Sequence, residues 1–331
     1  MLVKGWNLLD TLILGVEIGG SKLQLAAGTI EGEILLSKLT HVDREAGGKG
    51  IRNWLLEQIP QFANEAEIQL GGHLDAIGCG FGGPFNSLKG RVLESIQIEG
   101  WKHFPLQDWF MEHFNKPTFV ANDSNAAAWA EYQKGFGRGC QHFFYTNLGS
   151  GVGGGFVFNG RLFDGQGYGA GEFGHTFVPD WRTNEPGKGE KIENLCSGWA
   201  IENRLNSPNA IPASSRLIQM RLEKGSKLTP RDLGEAARLG DAFALQEIDR
   251  IAGSMGYGLA NLLSLTGVER IAIGGGVSNL GDILIEPIRT HTKKYAFVSS
   301  QGRYRIHKCE LGEDIVLVGA ILLAQEAFHL T

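Results

Sequence analysis

The sequence predicts an α/β protein of two domains. Strand-like and helix-like segments alternate from residue 11 to the C-terminus, the pattern of an α/β fold. Gly15–Leu25 and Thr146–Phe158 share one pattern: strand, Gly/Ser-rich turn, strand. That repeat predicts two similar halves facing a shared cleft. The length of 331 residues fits about two domains.

Residues 12–39 read as three strands. Thr11–Glu17 is apolar and partly β-branched, Lys22–Ala26 alternates, and Ile34–Leu39 follows Glu31-Gly32-Glu33. A short Gly-Gly turn between the first two marks a hairpin. Ile51, Trp54, Leu55, Ile59 and Phe62 recur at helical spacing, predicting a helix over 50–66 that Pro60 ends early. Asp75–Gly80 reads as a buried strand running into a loop at Phe81–Asn86. Pro117–Ala121 is a strand leading through Asn122–Asn125 into a helix over 126–132. A second hairpin pairs 142–147 with 156–158 across a glycine turn at 149–155. Helices are predicted over 197–205, 214–223, 230–239 and 241–265, then a strand at 270–273 ending in Gly274–Gly276 with a helix after it. An apolar helix over 314–328 closes the chain.

Composition narrows the partners. With 42% hydrophobic and 20% charged residues the chain is an ordinary globular one. Its net charge of −5 gives no support for nucleic acid or an anionic membrane as partner. A small polyanion stays open, because loop amides and a metal bind phosphate without net positive charge. Cys79, Cys140, Cys196 and Cys309 are scattered, with no CxxC pair, which argues against a disulfide framework or a four-cysteine zinc site. The start lacks the features of a secretory leader and the apolar runs are too short to span a membrane. A cytoplasmic location is expected. The 48 glycines are near twice the usual share of about 7%. They show no collagen-like period, so they serve turns and close backbone approaches.

Four groups of residues suggest chemistry. Gly19-Gly20-Ser21-Lys22 and Gly149-Ser150-Gly151 are turns whose amides suit phosphate, and Ser150 adds a hydroxyl. Neither is a Walker A loop. Each taken alone reads as a plain hairpin turn; two of them, with Gly274–Gly276 at a strand end, shift the reading toward a nucleotide. Asn122-Asp123 stands at a strand-to-helix junction. Asp123 is either a helix N-cap or a carboxylate that takes a proton from a substrate hydroxyl. Ser124 or Asn125 is expected to do the capping, leaving Asp123 free. Glu172 and His175 stand three apart around a glycine, with Glu193 downstream. Carboxylates and imidazoles match the paired donors and acceptors of sugar hydroxyls, though a solvated loop and a satisfied histidine are the plainer account. Glu17 ends an apolar strand beside a glycine turn. It is a solvent-facing strand end or, if buried, a carboxylate near a metal such as Mg²⁺.

The chain resembles the ROK family (repressor, open reading frame, kinase), which includes bacterial glucokinases, fructokinases and N-acylmannosamine kinases. The resemblance runs from about Leu14 to the C-terminus. It rests on Gly15–Lys22, Ala121–Ala128, Leu148–Gly155, Ala170–His175, Glu193–Gly198 and Ile273–Val277, in that order. It implies an actin-like, hexokinase-like ATPase fold, with a small domain of 1–122 plus 314–331 and a large domain of 123–313. It implies an ATP- and Mg²⁺-dependent kinase acting on a hexose, first of all the 6-hydroxyl of glucose. Fructose, mannose, N-acetylmannosamine and glucosamine remain alternatives, as does a sugar sensor without catalysis or polyphosphate as donor. Asp123 is similar to the family's general base. Gly83, Asn122, Glu172, His175 and Glu193, with Asp123, are similar to its sugar contacts. Gly19, Gly20, Ser21 and Lys22, with Gly149, Ser150 and Gly151, resemble its phosphate loops, and Gly275 and Gly276 its adenosine-side turn. A homodimer is the family-level expectation.

The sequence departs from the family at three places. Glu17 stands where the family usually carries Asp, so a Mg²⁺ contact there is one methylene longer. The segment 176–192 has no cysteine, so no structural zinc is expected and other packing must hold His175. Gln97 replaces the usual Asn ahead of Gly100-Trp101.

Overall fold

A computed structural model describes residues 11–95, 98–167 and 169–329, so Gln97 and the first ten residues lie outside the described residues. The chain forms two compact units. One comprises the chain up to Gly135, Leu162–Ala170 and the stretch from Leu311 on; the other comprises Phe136–Arg161 and Gly171–Glu310.

The first unit is built on β1 (Thr11–Ile18), β2 (Lys22–Thr29), β3 (Ile34–His41), α1 (Gly47–Leu70) and β4 (His73–Phe81). It continues with the short β5 (Phe85–Asn86) and β6 (Arg91–Val92), then α2 (Leu106–Phe114), β7 (Thr118–Asn122) and α3 (Asp123–Lys134). The strand order is β3-β2-β1-β4-β7. β1 pairs antiparallel with β2 and parallel with β4, and β4 pairs parallel with β7. β1 is buried on both faces, which is why its sequence is an apolar run rather than an alternation. Leu12, Leu14, Val16 and Ile18 pack with Ile51, Leu55, Ile59 and Phe62 of α1. Ile13 faces the other way, onto Leu317 and Ile321 of the C-terminal helix (Ile315–His329). That helix lies so close that a Cβ on Gly78 of β4 would sit 1.9 Å from the Ala320 carbonyl oxygen.

Pro60 does not end α1, contrary to expectation. It sits on the exposed face, while Ile51, Leu55, Ile59, Phe62 and Ala66 form a continuous buried stripe. The lost hydrogen bond falls on the wet side, where water serves the freed carbonyl. Gly71, at φ +74°, ends the helix instead.

The second unit begins with β8 (His142–Leu148) and β9 (Val152–Phe158); β10 (Arg161–Phe163) follows β9 where the chain passes from the second unit into the Leu162–Ala170 part of the first. A small hairpin of β11 (Phe177–Pro179) and β12 (Gly189–Lys191) follows, then α4 (Ile192–Cys196), α5 (Gly198–Asn206), α6 (Arg216–Lys224), α7 (Pro230–Arg238) and α8 (Ala242–Thr266). The unit ends with β13 (Arg270–Gly274), α9 (Asp282–Tyr295) and β14 (Arg305–Lys308); the C-terminal helix of the first unit is α10. The sheet order is β10-β9-β8-β13-β14. β8 is antiparallel to β9 and parallel to β13, and β13 is parallel to β14. This repeats the first sheet: a hairpin whose first strand also pairs, in parallel, with a later strand.

The turn of this second hairpin is shorter than the sequence suggests. Gly153–Gly155 belong to β9, leaving Gly149–Gly151 as the turn. The strand carries glycines because Gly171 crosses it closely: a Cβ on Gly154 would lie 2.7 Å from the Gly171 oxygen. After β13 a 3-10 segment (Gly276–Leu280) intervenes before α9. Among the described residues, no helix is long and apolar enough to cross a membrane.

Candidate functional site

The residues singled out in the sequence fall into two groups, one in each unit. In the first unit the β1–β2 turn is closed by the Gly19 N–H donating to the Lys22 oxygen at 3.0 Å. Glu17, just before it, is 6% exposed. Burial pushes its carboxyl up to about 7, and nearby Asp123 adds to that; Lys22 pulls the other way without prevailing. The Lys22 ammonium lies 3.3 Å from Glu17 Oε2, but its aligned hydrogen bond goes to Gln24 Oε1 at 2.7 Å. Oε2 of Glu17 is buried without a hydrogen-bond partner. Lys22 is thus turned inward. An exposed cation stands at the turn as well: Arg44 Nε donates to the Gly20 oxygen at 3.3 Å.

Asn122, not Ser124 or Asn125, caps α3. Its Oδ1 accepts the N–H groups of Ser124 (2.9 Å) and Asn125 (3.3 Å), and its Nδ2 donates to the Gly83 oxygen at 3.0 Å. One side chain therefore joins the helix start to the Gly83 turn. Asn is as good a cap as Asp or Ser, and the extended backbone at the end of β7 places it at that position. Asp123 Oδ1 accepts the Ser124 N–H at 2.7 Å and its hydroxyl at 3.3 Å. Gly82 shows how near the pieces are. A Cβ built there would lie 3.2 Å from the Ile18 oxygen, 3.3 Å from Asp123 Oδ2 and 3.4 Å from Gly19 Cα.

In the second unit the Gly149–Gly151 turn is closed by the Gly149 N–H donating to the Gly151 oxygen at 2.9 Å. The Gly198 N–H, at the start of α5, donates to the Gly149 oxygen at 2.7 Å. Gly275, at φ +80°, lies against the same turn: a Cβ there would be 2.5 Å from the Leu148 carbonyl. Gly276 beside it is exposed, with open space where a Cβ would stand. Ser150 is exposed at the turn's tip.

Glu193, on α4, accepts the Val152 N–H at 2.9 Å through Oε2, next to that turn. His175 ends a 3-10 turn (Phe173–His175) and is exposed, with Lys191 Nζ 3.2 Å from its Nδ1. With the ammonium donating to Nδ1, the neutral ring carries its proton on Nε2. Glu172 is exposed at the start of the same turn. The β11–β12 pairing brings these residues close, because the Ile192 N–H donates to the Thr176 oxygen at 3.0 Å.

Taken separately, the first unit offers a carboxylate suited to a divalent ion and each unit offers a turn suited to phosphate. Among the described residues no group of three or more His, Cys, Asp or Glu forms a metal cage. One buried carboxylate with an oxygen lacking a hydrogen bond suits Mg²⁺, which typically takes one or two carboxylates and completes its shell with phosphate and water. The tight glycine turns and the open space at Gly276 suit phosphate and its nucleotide. Arg44 and Lys191 escaped the sequence reading. Neither belongs to a motif, and Arg44 is brought to the turn by tertiary pairing: Lys22 pairs with His41 across β2 and β3, and the Val42 N–H donates to the Ser21 oxygen at 3.0 Å.

The sequence profile of the ROK family matches residues 13–327. A glucokinase from Halalkalibacterium halodurans is 34% identical over 327 residues, covering 96% of this chain and 96% of that protein. A glucokinase from Thermotoga maritima is 30% identical over 316 residues, covering 95% of this chain and 97% of that protein. Among solved structures, a ROK family glucokinase from Streptomyces griseus in complex with glucose and AMPPNP matches with a TM-score of 0.79 at 30% identity, over 95% of this chain and 99% of that one. The chain has the α/β, actin-like fold of these sugar kinases.

Proposed function

The chain belongs to the ROK family, and on that premise we propose that it is an ATP-dependent hexose kinase whose acceptor is the 6-hydroxyl of glucose. One observation carries the chemistry: Asp123 and the Gly19 turn meet over Gly82, so a carboxylate able to act as base stands beside a turn able to hold phosphate. The named activity of the glucokinase relatives, and the glucose and AMPPNP of the similar structure, support the substrate pair.

In this reading Asp123 accepts the proton as the sugar oxygen forms its bond to the γ-phosphorus and the bond to the β-phosphate oxygen breaks, leaving ADP. Ser124 orients the carboxylate through its N–H and hydroxyl. Asn122 holds the start of α3 against the Gly83 turn, so the base and the turn keep one spacing. Glu172, His175 and Glu193 bind sugar hydroxyls, and the Val152 amide fixes the Glu193 carboxylate. The Gly19–Lys22 and Gly149–Gly151 turns hold phosphates, Gly275 and Gly276 line the adenosine side, and Glu17 holds Mg²⁺. Mg-ATP supplies the phosphoryl group and neutralises its developing charge.

The test is a coupled ADP-release assay with Mg-ATP over a panel of hexoses and amino-hexoses, run beside Asp123→Asn. Glucose-dependent release, lost in the variant while glucose still binds, is the expected result. Faster release with another hexose would change the acceptor. Unaltered turnover in Asp123→Asn would sink the base assignment. Release with polyphosphate but not with ATP would change the donor.

A further inference from the structure

The nine-residue stretch between the last residue of β11 and the first of β12, with Glu190 of β12, carries a set of contacts that the function above does not use. Asp180, which follows β11, is 5% exposed at its side chain. Arg182 holds it with two parallel bonds, Nε to Oδ1 at 2.8 Å and Nη2 to Oδ2 at 2.9 Å. The same Nη2 donates to Glu190 Oε2, in β12, at 2.6 Å. The Asp180 N–H also crosses the hairpin, donating to the Lys188 oxygen at 3.0 Å. Trp181, between the two clamp residues, is anchored on α8: its Nε1 donates to Ser254 Oγ at 3.2 Å, and the guanidinium groups of Arg204 and Arg250 lie 5.2 and 5.0 Å from its ring.

Glu190 passes the constraint onward. Its Oε1 accepts the Lys191 N–H at 2.9 Å and Asn194 Nδ2 at 2.8 Å. Lys191 is the residue that meets His175, and Asn194 follows Glu193 on α4. Two of the expected sugar ligands, His175 and Glu193, thus adjoin residues tied to Glu190. The hydrogen bonds from Arg182 hold Asp180 below the usual carboxylate range. Burial pushes Glu190 up, but the Lys191 amide, Asn194 and Arg182 more than offset it. Both carboxylates are therefore charged partners of one guanidinium, and a fork that engages one carboxylate at two points and another at a third resists rotation far better than a single ion pair does.

We propose that Arg182 is a positioning residue for sugar binding: by clamping Asp180 to Glu190 it fixes the β11–β12 hairpin and the start of α4, and so holds His175 and Glu193 in one geometry toward the sugar hydroxyls. The inference rests on the reading of His175 and Glu193 as sugar ligands. It predicts a larger defect for the sugar than for the nucleotide, because Asp180, Arg182 and Glu190 touch neither glycine turn and only Glu193, through the Val152 amide, adjoins one.

The experiment titrates glucose into nucleotide-free protein by calorimetry and compares Arg182→Met, Arg182→Lys and Glu190→Gln with the wild type. Arg182→Met keeps the aliphatic stem and the backbone N–H that donates to Asp180 Oδ1 at 3.0 Å, and removes every guanidinium bond of the clamp; its glucose affinity is expected to fall about tenfold or more, as a misplaced ligand set would cause. Arg182→Lys restores part of the loss, since an ammonium cannot grip both oxygens of Asp180 and also reach Glu190 in the same way. Glu190→Gln weakens glucose by a smaller factor and leaves the Asp180 pair intact, so it decides the matter if Arg182→Met fails to fold. The KM for Mg-ATP is expected to stay within about twofold throughout. Unchanged glucose affinity in Arg182→Met and Glu190→Gln would overturn the proposal, as would equal losses for glucose and ATP. Absence of ADP release by the wild type overturns the kinase reading by itself, while the calorimetric affinities still judge the clamp.

Discussion

Lys22 Nζ stands 3.3 Å from Glu17 Oε2 and yet fails to hold that carboxyl in its ordinary range. Desolvation prevails, so Glu17 titrates near neutrality in the folded protein and near 4.5 when unfolded. A folded-state value above the unfolded one means the folded chain binds the extra proton. The stability that gives is full below about 4.5 and is lost as pH rises through about 7. Glu17→Gln removes the titration. Its stability relative to wild type should therefore rise between pH 4.5 and pH 8, by about 3 kcal/mol at most. Urea denaturation of both proteins, without nucleotide, at pH 5 and pH 8.5 reads the difference. A constant gap across that range would mean that Glu17 is not buried as described.

Gly82→Ala should cut turnover more than it harms folding. The added methyl meets the Ile18 oxygen, Asp123 Oδ2 and Gly19 Cα at 3.2–3.4 Å, and two of those are backbone. Each must give by a few tenths of an ångström, which shifts the base relative to the turn. We expect kcat to fall about tenfold or more, with a melting temperature close to wild type. A variant with unchanged kcat would show that the base does not depend on that spacing.

The hairpins and the site motifs were legible in the sequence for a physical reason. Tight turns and close crossings demand glycine, so Gly19, Gly151 and Gly275 mark them in the bare sequence. The cap of α3 was misassigned because Asn122, Asp123, Ser124 and Asn125 are all good capping residues; only the extended backbone at Asn122 decides among them. The course of α1 past Pro60 depended on which face of the helix is wet, a tertiary matter. The Arg182 contacts were hidden because a fork joining residues 180 and 190 has no periodicity and no motif.

Arg44→Gln should weaken Mg-ATP without touching the sugar. The guanidinium is exposed beside the Gly19–Lys22 turn, while the Lys22 ammonium is turned toward Glu17 and Gln24. A screened, exposed charge near phosphate predicts a KM for Mg-ATP about threefold to tenfold higher at low salt, with the gap closing as salt is added. Equal KM values at low salt would place Arg44 outside the donor site.

Gly275→Ala should hurt both stability and the nucleotide. The residue combines a left-handed backbone with a Cβ position 2.5 Å from the Leu148 carbonyl, so the turn at Gly149 must move. Thermal melting should fall, and the shift that ATP adds to it should shrink, while the shift from glucose persists. Loss of both shifts would mean that the second unit had unfolded as a whole.

The C-terminal helix gives the protein an order in time. β1 is synthesised well before α10, which covers one face of its sheet. The second unit, by contrast, is encoded wholly between Phe136 and Glu310. β1 and β2 must therefore wait, with Ile13 and Ala26 bare, until α10 is synthesised. Nascent chains halted before Ile315 should be cut by protease within the first unit and spared in the second. A stop codon in that stretch would yield a protein whose β1 and β2 are less protected than the whole of its second unit.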